Sequence, residues 1–181
     1  VDNVLTPIDK AVLDQQIGDA EFILDASASA PVSRWASDLP SAARRLCAFF
    51  TPDGKSAVLM IEDEARSLTL CDLETLYLRE VLQNPALEGH LGTVDRMQYT
   101  GACRALTNRI PMASIQVLSG LIAAGIASGV RMTNAALKIW TVNEDGVRIT
   151  TVSGTMATMK AEGWSVVLPA SLKLEVRQRR S

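Results

Sequence analysis

The stretch Glu21–Trp35, EFILDASASAPVSRW, places a carboxylate, two hydroxyls and a guanidinium in one short segment: Asp25, Ser27, Ser29 and Arg34. An apolar run, Phe22-Ile23-Leu24, ends in Asp25, and small residues fill 26–30. A buried strand that delivers a carboxylate into a turn of small residues is how open α/β sheets build ligand sites, outside the carboxyl ends of their strands. The same residues also read as a plain strand end before a helix, with Ser29 or Ser33 as the N-capping hydroxyl.

Thiol chemistry is the other possibility. The three cysteines are Cys47, Cys71 and Cys103, an odd count whose spacing matches no zinc motif. Cys47 and Cys71 adjoin apolar residues and read as core. Cys103 lies among Gly101, Ala102 and Arg104 in a polar stretch, where a neighbouring cation would favour thiolate. His90 is the single histidine, so a histidine metal cluster within the chain is excluded, and a Cys/His pair would have to be Cys103 with His90. Glu62-Asp63-Glu64 would attract a cation or basic partner, or simply mark a solvated strand end.

The elements that must position these groups alternate helix and strand. A short helix after Pro7 ends near Gly18, a strand follows at Glu21–Leu24, and a helix runs from about Pro31 to Arg45, with Ser-Asp-Leu-Pro at 37–40 as an interruption. Leu46–Phe50 and Val58–Ile61 form a hairpin about the Pro-Asp-Gly turn, apolar enough for both faces to be covered. Asp72–Leu82 is a helix with Asp72 as its N-cap. The segment 88–108 lacks periodicity, as long functional or mobile segments do. Met112–Gly129 is a helix apolar nearly all round, fitted either to a core or to a subunit interface. Residues 136–152 alternate as a second hairpin whose polar residues Lys138, Arg148 and Thr150 mark a solvated face. In the tail, SLKLEV alternates as a strand while Leu168, Leu172 and Val176 suit a helix. The fold class is therefore α/β, in one domain.

A chain of 181 residues can bury a real core. With 48% apolar residues, 21% charged and a net charge of −2, nothing draws it to nucleic acid or an anionic membrane. No unbroken apolar run is long enough to predict a transmembrane helix. No signal peptide is visible, so reduced cysteines and a cytoplasmic location are expected.

The central stretch resembles the ThiF/MoeB/ubiquitin-activating superfamily of adenylyltransferases, in its diverged bacterial members. There a strand ends in hydrophobic-D-x-T-D-N, with an arginine on the following helix. Ile23-Leu24-Asp25-Ala26-Ser27-Ala28-Ser29 and Arg34 occupy that pattern. Tyr99–Arg104 stands at the family's crossover segment, which bears the catalytic cysteine in thioester-forming members. VLSGLIAAGI (117–126) is similar to the family's Gly/Ala helix, and LKIWTVNEDGVRITTV to the hairpin after it. The resemblance spans about residues 20–165 and implies a Rossmann-like ThiF-type sheet. It also implies ATP and magnesium in the complete domain, a ubiquitin-like or sulfur-carrier protein as partner, and a homo-oligomer, a homodimer in particular. Asp25, Ser27, Ser29 and Arg34 would lie near ATP, and Cys103 would accept the acyl group, a role for which a thiolate is suited.

The chain departs from the family pattern in two places. The family's second aspartate, a magnesium ligand, falls on Ala28, whose methyl cannot coordinate a hard cation. No Gly-rich loop precedes a helix to cradle phosphates. The expectation is thus a domain over 1–181 lacking the N-terminal nucleotide-binding half, which does not bind Mg-ATP tightly by itself. It is part of an adenylyltransferase or a non-catalytic interaction or dimerisation module of the same ancestry. A small α/β protein with accidental similarity is the third possibility.

Overall fold

The structure is a computed structural model and describes residues 4–91, 111–143, 145–152, 164–167 and 175–178. Its elements run α1 (Lys10–Asp19), β1 (Phe22–Asp25), α2 (Ala30–Asp38), β2 (Arg44–Phe50), β3 (Ser56–Ile61), α3 (Leu70–Gln83), a 3-10 helix (Pro85–Leu91), α4 (Met112–Gly129), β4 (Ala136–Asn143) and β5 (Gly146–Val152). Two short strands follow, β6 (Trp164–Val167) and β7 (Glu175–Gln178), which pair with each other. The protein is α/β, as its sequence indicates.

The main sheet has five strands in the order β1-β2-β3-β4-β5. β1 runs parallel to β2 through the α2 crossover, and every later pair is antiparallel. The second hairpin therefore extends the first rather than forming its own sheet. β2 and β3 are buried almost throughout, as their unbroken apolar runs require. Gly54 takes the left-handed conformation, φ 67°, that the tight β2–β3 turn needs.

The sheet buries a different core on each face. One holds Cys47, Phe49, Val58, Met60, Leu137 and Ile139 against Leu73, Leu76, Tyr77 and Val81 of α3 and Leu87 of the 3-10 helix. The other holds Leu46, Ala48, Ala57, Leu59, Ile61 and Trp140 against Leu118, Leu121, Ile122 and Ile126 of α4. α4 approaches closely where Gly125 and Gly129 meet the sheet. A Cβ on Gly125 would come within 2.7 Å of Leu59 Cδ2, and one on Gly129 would run into Ile61 Cδ1.

Several expectations are corrected. β1 is an edge strand, not a buried one: Phe22 and Leu24 are exposed and only Asp25 is buried. The helix from Ala30 stops at Asp38, because the Asp38-Leu39-Pro40 break holds and Arg44 and Arg45 already belong to β2. α3 starts earlier than Asp72. Thr69 is its N-cap, and Asp72 sits at the third helical position, completing a capping box. Cys71 is exposed on the first turn of α3. The hairpin's polar residues do not share a face: the register sets Lys138 opposite Leu59, whereas Arg148 and Thr150 pair with Thr141 and Ile139 of the other face. The tail is strand where it is described, at Glu175–Gln178. Finally, α4 carries no charged residue over its 18 residues and is long and apolar enough to cross a membrane, by length and composition only. A helix packed on a sheet in a soluble protein passes the same criterion.

Candidate functional site

The carboxyl end of β1 and the turn into α2 hold three of the four residues singled out there. Strand alternation turns Asp25 to the α3 face, beside its register partner Cys47. Asp25 is 6% exposed. Its Oδ1 accepts from the Ser27 backbone N–H at 2.9 Å and from the Ser27 hydroxyl at 2.6 Å. The Ser27 Oγ in turn accepts from the Ser29 N–H at 3.2 Å. Two side chains thus replace strand pairing over Asp25–Ser29, the local bonding that short polar residues offer a backbone leaving regular structure. Ala28 adopts φ 54°, the left-handed region. Ser29 is the N-cap of α2 by position, but its side chain makes no capping bond, and the proline in the first turn has no N–H to need one.

Asp25 Oδ2 faces the Cys47 thiol at 3.7 Å, a weak donor. This oxygen is the atom of the turn that a ligand hydroxyl or amide could engage. A hard cation does not fit the turn, because position 28 presents a methyl and a cation needs several oxygens. Among the described residues, no three acidic, histidine or cysteine side chains converge to hold a metal.

Arg34 does not join this group. It points from α2 to α3, where Nε and Nη2 donate to Glu74 Oε2 at 3.3 and 3.2 Å. The Glu74 side chain is 8% exposed and that of Arg34 20%. Cys103, the expected thiol acceptor, and its neighbour Arg104 lie outside the described residues. Cys71, the exposed thiol, is held above its ordinary pKa by partial burial and then by the nearby Glu74 carboxylate, with Arg34 opposing.

Two polar clusters escaped the sequence reading. In the first, Glu62 is fully buried rather than a solvated strand end. It accepts from the Arg45 N–H, from Arg66 Nε at 2.8 Å and from the Leu70 N–H at the start of α3. Arg45, equally buried, donates to the carbonyls of Ala36, Leu39 and Ala43 and so caps the end of α2. Burial, then the adjacent Arg66, lower the Arg45 pKa, against the pull of Glu62. The signal was present: a hairpin turning at Asp53-Gly54 that pairs Leu46 with Ile61 puts Arg45 across from Glu62.

The second cluster joins Tyr77, His90, Ser56 and Thr141. The Tyr77 hydroxyl lies 3.2 Å from His90 Nδ1, His90 Nε2 lies 3.0 Å from Ser56 Oγ, and Ser56 Oγ lies 2.9 Å from Thr141 Oγ1. Burial lowers the His90 pKa, against a weaker upward pull from Asp53. A serine bonded to a histidine is a nucleophile's arrangement in an accessible site. Here Ser56 is 1% and His90 5% exposed, so the chain of bonds ties the 3-10 helix to β3 and β4. No periodicity in 85–91 could have disclosed it.

An open cavity of about 610 Å³ lies at the other end of β3, lined by Asp63, Glu64, Ser67, Thr133 and Asn134 among others. Asp63 is occupied there by the N–H groups of Ser67 and Leu68 and the Ser67 hydroxyl.

No family model matches the chain, and no curated protein matches it. Among solved structures, "Crystal Structure of SeMet PaaA" is similar over 81% of this chain and 46% of that chain, at 12% identity and a TM-score of 0.32. The chain thus spans less than half the length of that protein, and a likeness at this level carries no conclusion about fold or function.

Proposed function

We propose that this chain supplies the carboxylate-bearing half of a ThiF-type adenylyltransferase domain, which uses ATP to activate the C-terminal carboxylate of a ubiquitin-like or sulfur-carrier protein. The observation that supports it is the placing of Asp25. It is a buried carboxylate at the carboxyl end of a strand that is parallel to its one neighbour, and the strand's other edge is unpaired among the described residues. Open α/β sheets bind ligands outside the carboxyl ends of their strands, where strand order reverses. A parallel strand added beside β1, from outside the described sheet, would make β1 such a point and complete a Rossmann-like sheet.

In this reading Asp25 and Ser27 form the floor of the nucleotide site, and Ser29 lies at its rim. Asp25 Oδ2 accepts from a hydroxyl or amide of the nucleotide. Phosphate binding and any magnesium ligands come from the added half, because this turn offers neither a Gly-rich cradle nor a second carboxylate. The activated carboxylate displaces pyrophosphate from ATP and becomes an acyl adenylate. Cys103 then takes the acyl group as a thioester, releasing AMP. Arg34 contributes only if it leaves Glu74.

The test is ATP–pyrophosphate exchange by the full-length gene product with ubiquitin-like proteins of the same cell. Exchange that needs the partner and is lost in Asp25→Ala supports the proposal. Absence of exchange with every such partner refutes it, as does micromolar, magnesium-dependent ATP binding by the 181-residue chain alone. A second reading, an interaction module of the same ancestry, is favoured by the Arg34–Glu74 pair, which commits the one cation of the pattern to the fold. It expects partner binding without exchange.

A further inference from the structure

The 3-10 helix Pro85–Leu91 is held to the fold by few groups. Of its seven residues only Leu87 and His90 are buried. A 3-10 helix has poorer hydrogen-bond geometry than an α-helix and lends little stability of its own. At its start the Ala86 and Leu87 N–H groups bond only to Asn84, close by in the chain. Among the described residues, its attachment therefore rests on one apolar and one titratable side chain. Leu87 enters the core of the α3 face. His90 reaches α3 and β3 at once, through the Tyr77 and Ser56 hydroxyls.

That attachment suits a neutral ring. A neutral imidazole has one donor and one acceptor, which two hydroxyls match in either tautomer, and Ser56 passes the chain on to Thr141. A protonated ring would be a buried cation. Around it, α3 presents the Tyr77 phenol, β3 and β4 the neutral hydroxyls of Ser56 and Thr141, and the β2–β3 turn the Asp53 carboxylate. Glu80 of α3 takes the Asn84 amide, and Lys55, Glu88 and Arg148 are exposed. Asp53 is the charge that acts on the ring, and its Oδ1 already accepts from the Thr51 hydroxyl and the Lys55 N–H. Its attraction is smaller than the cost of burial, so a charged ring is better placed in water.

We propose that His90 is an acid-operated latch: on taking a proton from solvent its ring leaves Tyr77 and Ser56 for water, and the 3-10 helix lifts off α3 and β3 while the five-stranded sheet stays folded. Release withdraws Leu87 from the core of the α3 face, so acid bares an apolar seat that is closed at neutral pH. Segments with few buried contacts open at the low end of a protein's stability range. Histidine supplies the trigger because its charge changes in mild acid.

The proposal is independent of the adenylyltransferase reading. It is tested on the 181-residue protein by hydrogen exchange read by peptide mass and corrected for the intrinsic pH dependence of amide exchange. Above pH 6.5 both docked and released rings are neutral, and protection of 84–91 should be constant. Below it the released ring gains a proton that the docked ring resists, so exchange over 84–91 should quicken about tenfold per pH unit. It should stay faster there than in peptides from β2 and β3, which open only with the whole fold. His90→Gln keeps a donor and an acceptor but cannot titrate, and should remove the pH slope. Three results overturn the proposal: no such slope in the wild type, a slope that persists in His90→Gln, or exchange over 84–91 no faster than in β2 and β3. Should His90→Gln fail to fold, the ring proton resonance of the wild type replaces it, unambiguous because His90 is the single histidine. A ring that takes up its proton while 84–91 stays protected overturns the latch, and protonation that coincides with lost protection supports it.

Discussion

Arg45 and Glu62 face each other across the β2–β3 hairpin with no exposed side-chain surface, 3.9 Å between Nη1 and Oε2. Each also serves a helix: Arg45 bonds carbonyls at the end of α2, and Glu62 accepts the first N–H of α3. The pair is thus the joint that fixes α2 and α3 to one edge of the hairpin. Removing one partner of a buried pair leaves an uncompensated charge, at a cost of about 3–5 kcal/mol. Glu62→Ala should lose that much in urea unfolding. Glu62→Gln, which still accepts from Leu70, should lose less. Equal losses in the two variants would mean that charge has no part in the joint.

Arg34 and Glu74 form an ion pair directly between α2 and α3, and its greater exposure makes it weaker than Arg45–Glu62. A double-mutant cycle of Arg34→Ala and Glu74→Ala should give a coupling of about 1 kcal/mol. If instead Arg34→Ala leaves stability unchanged, the guanidinium is free for another partner and its assignment to the fold fails.

His90 predicts a pH dependence. Its folded pKa lies below the ordinary 6.5, because burial opposes the charged ring. Above that unfolded value both states are neutral and His90 contributes no slope. Below it, the unfolded chain takes up a proton that the folded chain resists, so stability falls with pH until the folded value is reached. His90→Gln should flatten the urea-midpoint profile just below pH 6.5, while the carboxylates titrate as before. An unchanged profile would show that His90 takes up its proton alike in the folded and unfolded chains, so that burial does not disfavour its charge.

Alkylation should rank the thiols. Cys71 is exposed and Cys47 buried, so Cys71 should be labelled first, yet more slowly than a free thiol because its thiolate is disfavoured. Glu74→Gln should accelerate it. The same digest, read by peptide mass, tests the expectation that Cys103 outpaces both.

Gly129→Ala should destabilise the protein although alanine is the better helix former. The added methyl strikes Ile61, and overpacking costs about 1–3 kcal/mol, against a propensity gain of about 1 kcal/mol. A raised melting temperature would mean that α4 can lift from the sheet without cost.

Much of the fold was legible because its signals are local. The 3.6-residue period found α3 and α4, and the Pro-Asp-Gly turn fixed the first hairpin. What failed depended on neighbours distant in sequence. Phe22-Ile23-Leu24 is as apolar as a buried strand, and only the strand order makes it an edge. Glu62 resembles its solvated neighbour Glu64 until the hairpin register sets it against Arg45. Cys71 follows Leu70 in the sequence, but its position on the first turn of α3 turns it outward. At the candidate site, the nearness of Asp25, Ser27 and Ser29 was legible because they are close in sequence and bond locally in one turn. The place of Arg34 was not, since its partner lies 40 residues away.

The pairing of β3 with β4 also has a kinetic side. Ser56 and Thr141, which meet in this ladder, are 85 residues apart in the chain. The β2–β3 hairpin closes over a few residues and can form as soon as it is synthesised. At translation rates of about 5–20 residues per second, β3 then waits roughly 4–17 s for β4. Throughout that wait its outer edge, the uncharged segment SAVLMI, is a template for any passing strand. Production of this chain should therefore be limited by nascent-chain aggregation more than by the stability of the finished sheet. Slower initiation or chaperone supply should raise soluble yield where stabilising substitutions in α3 do not.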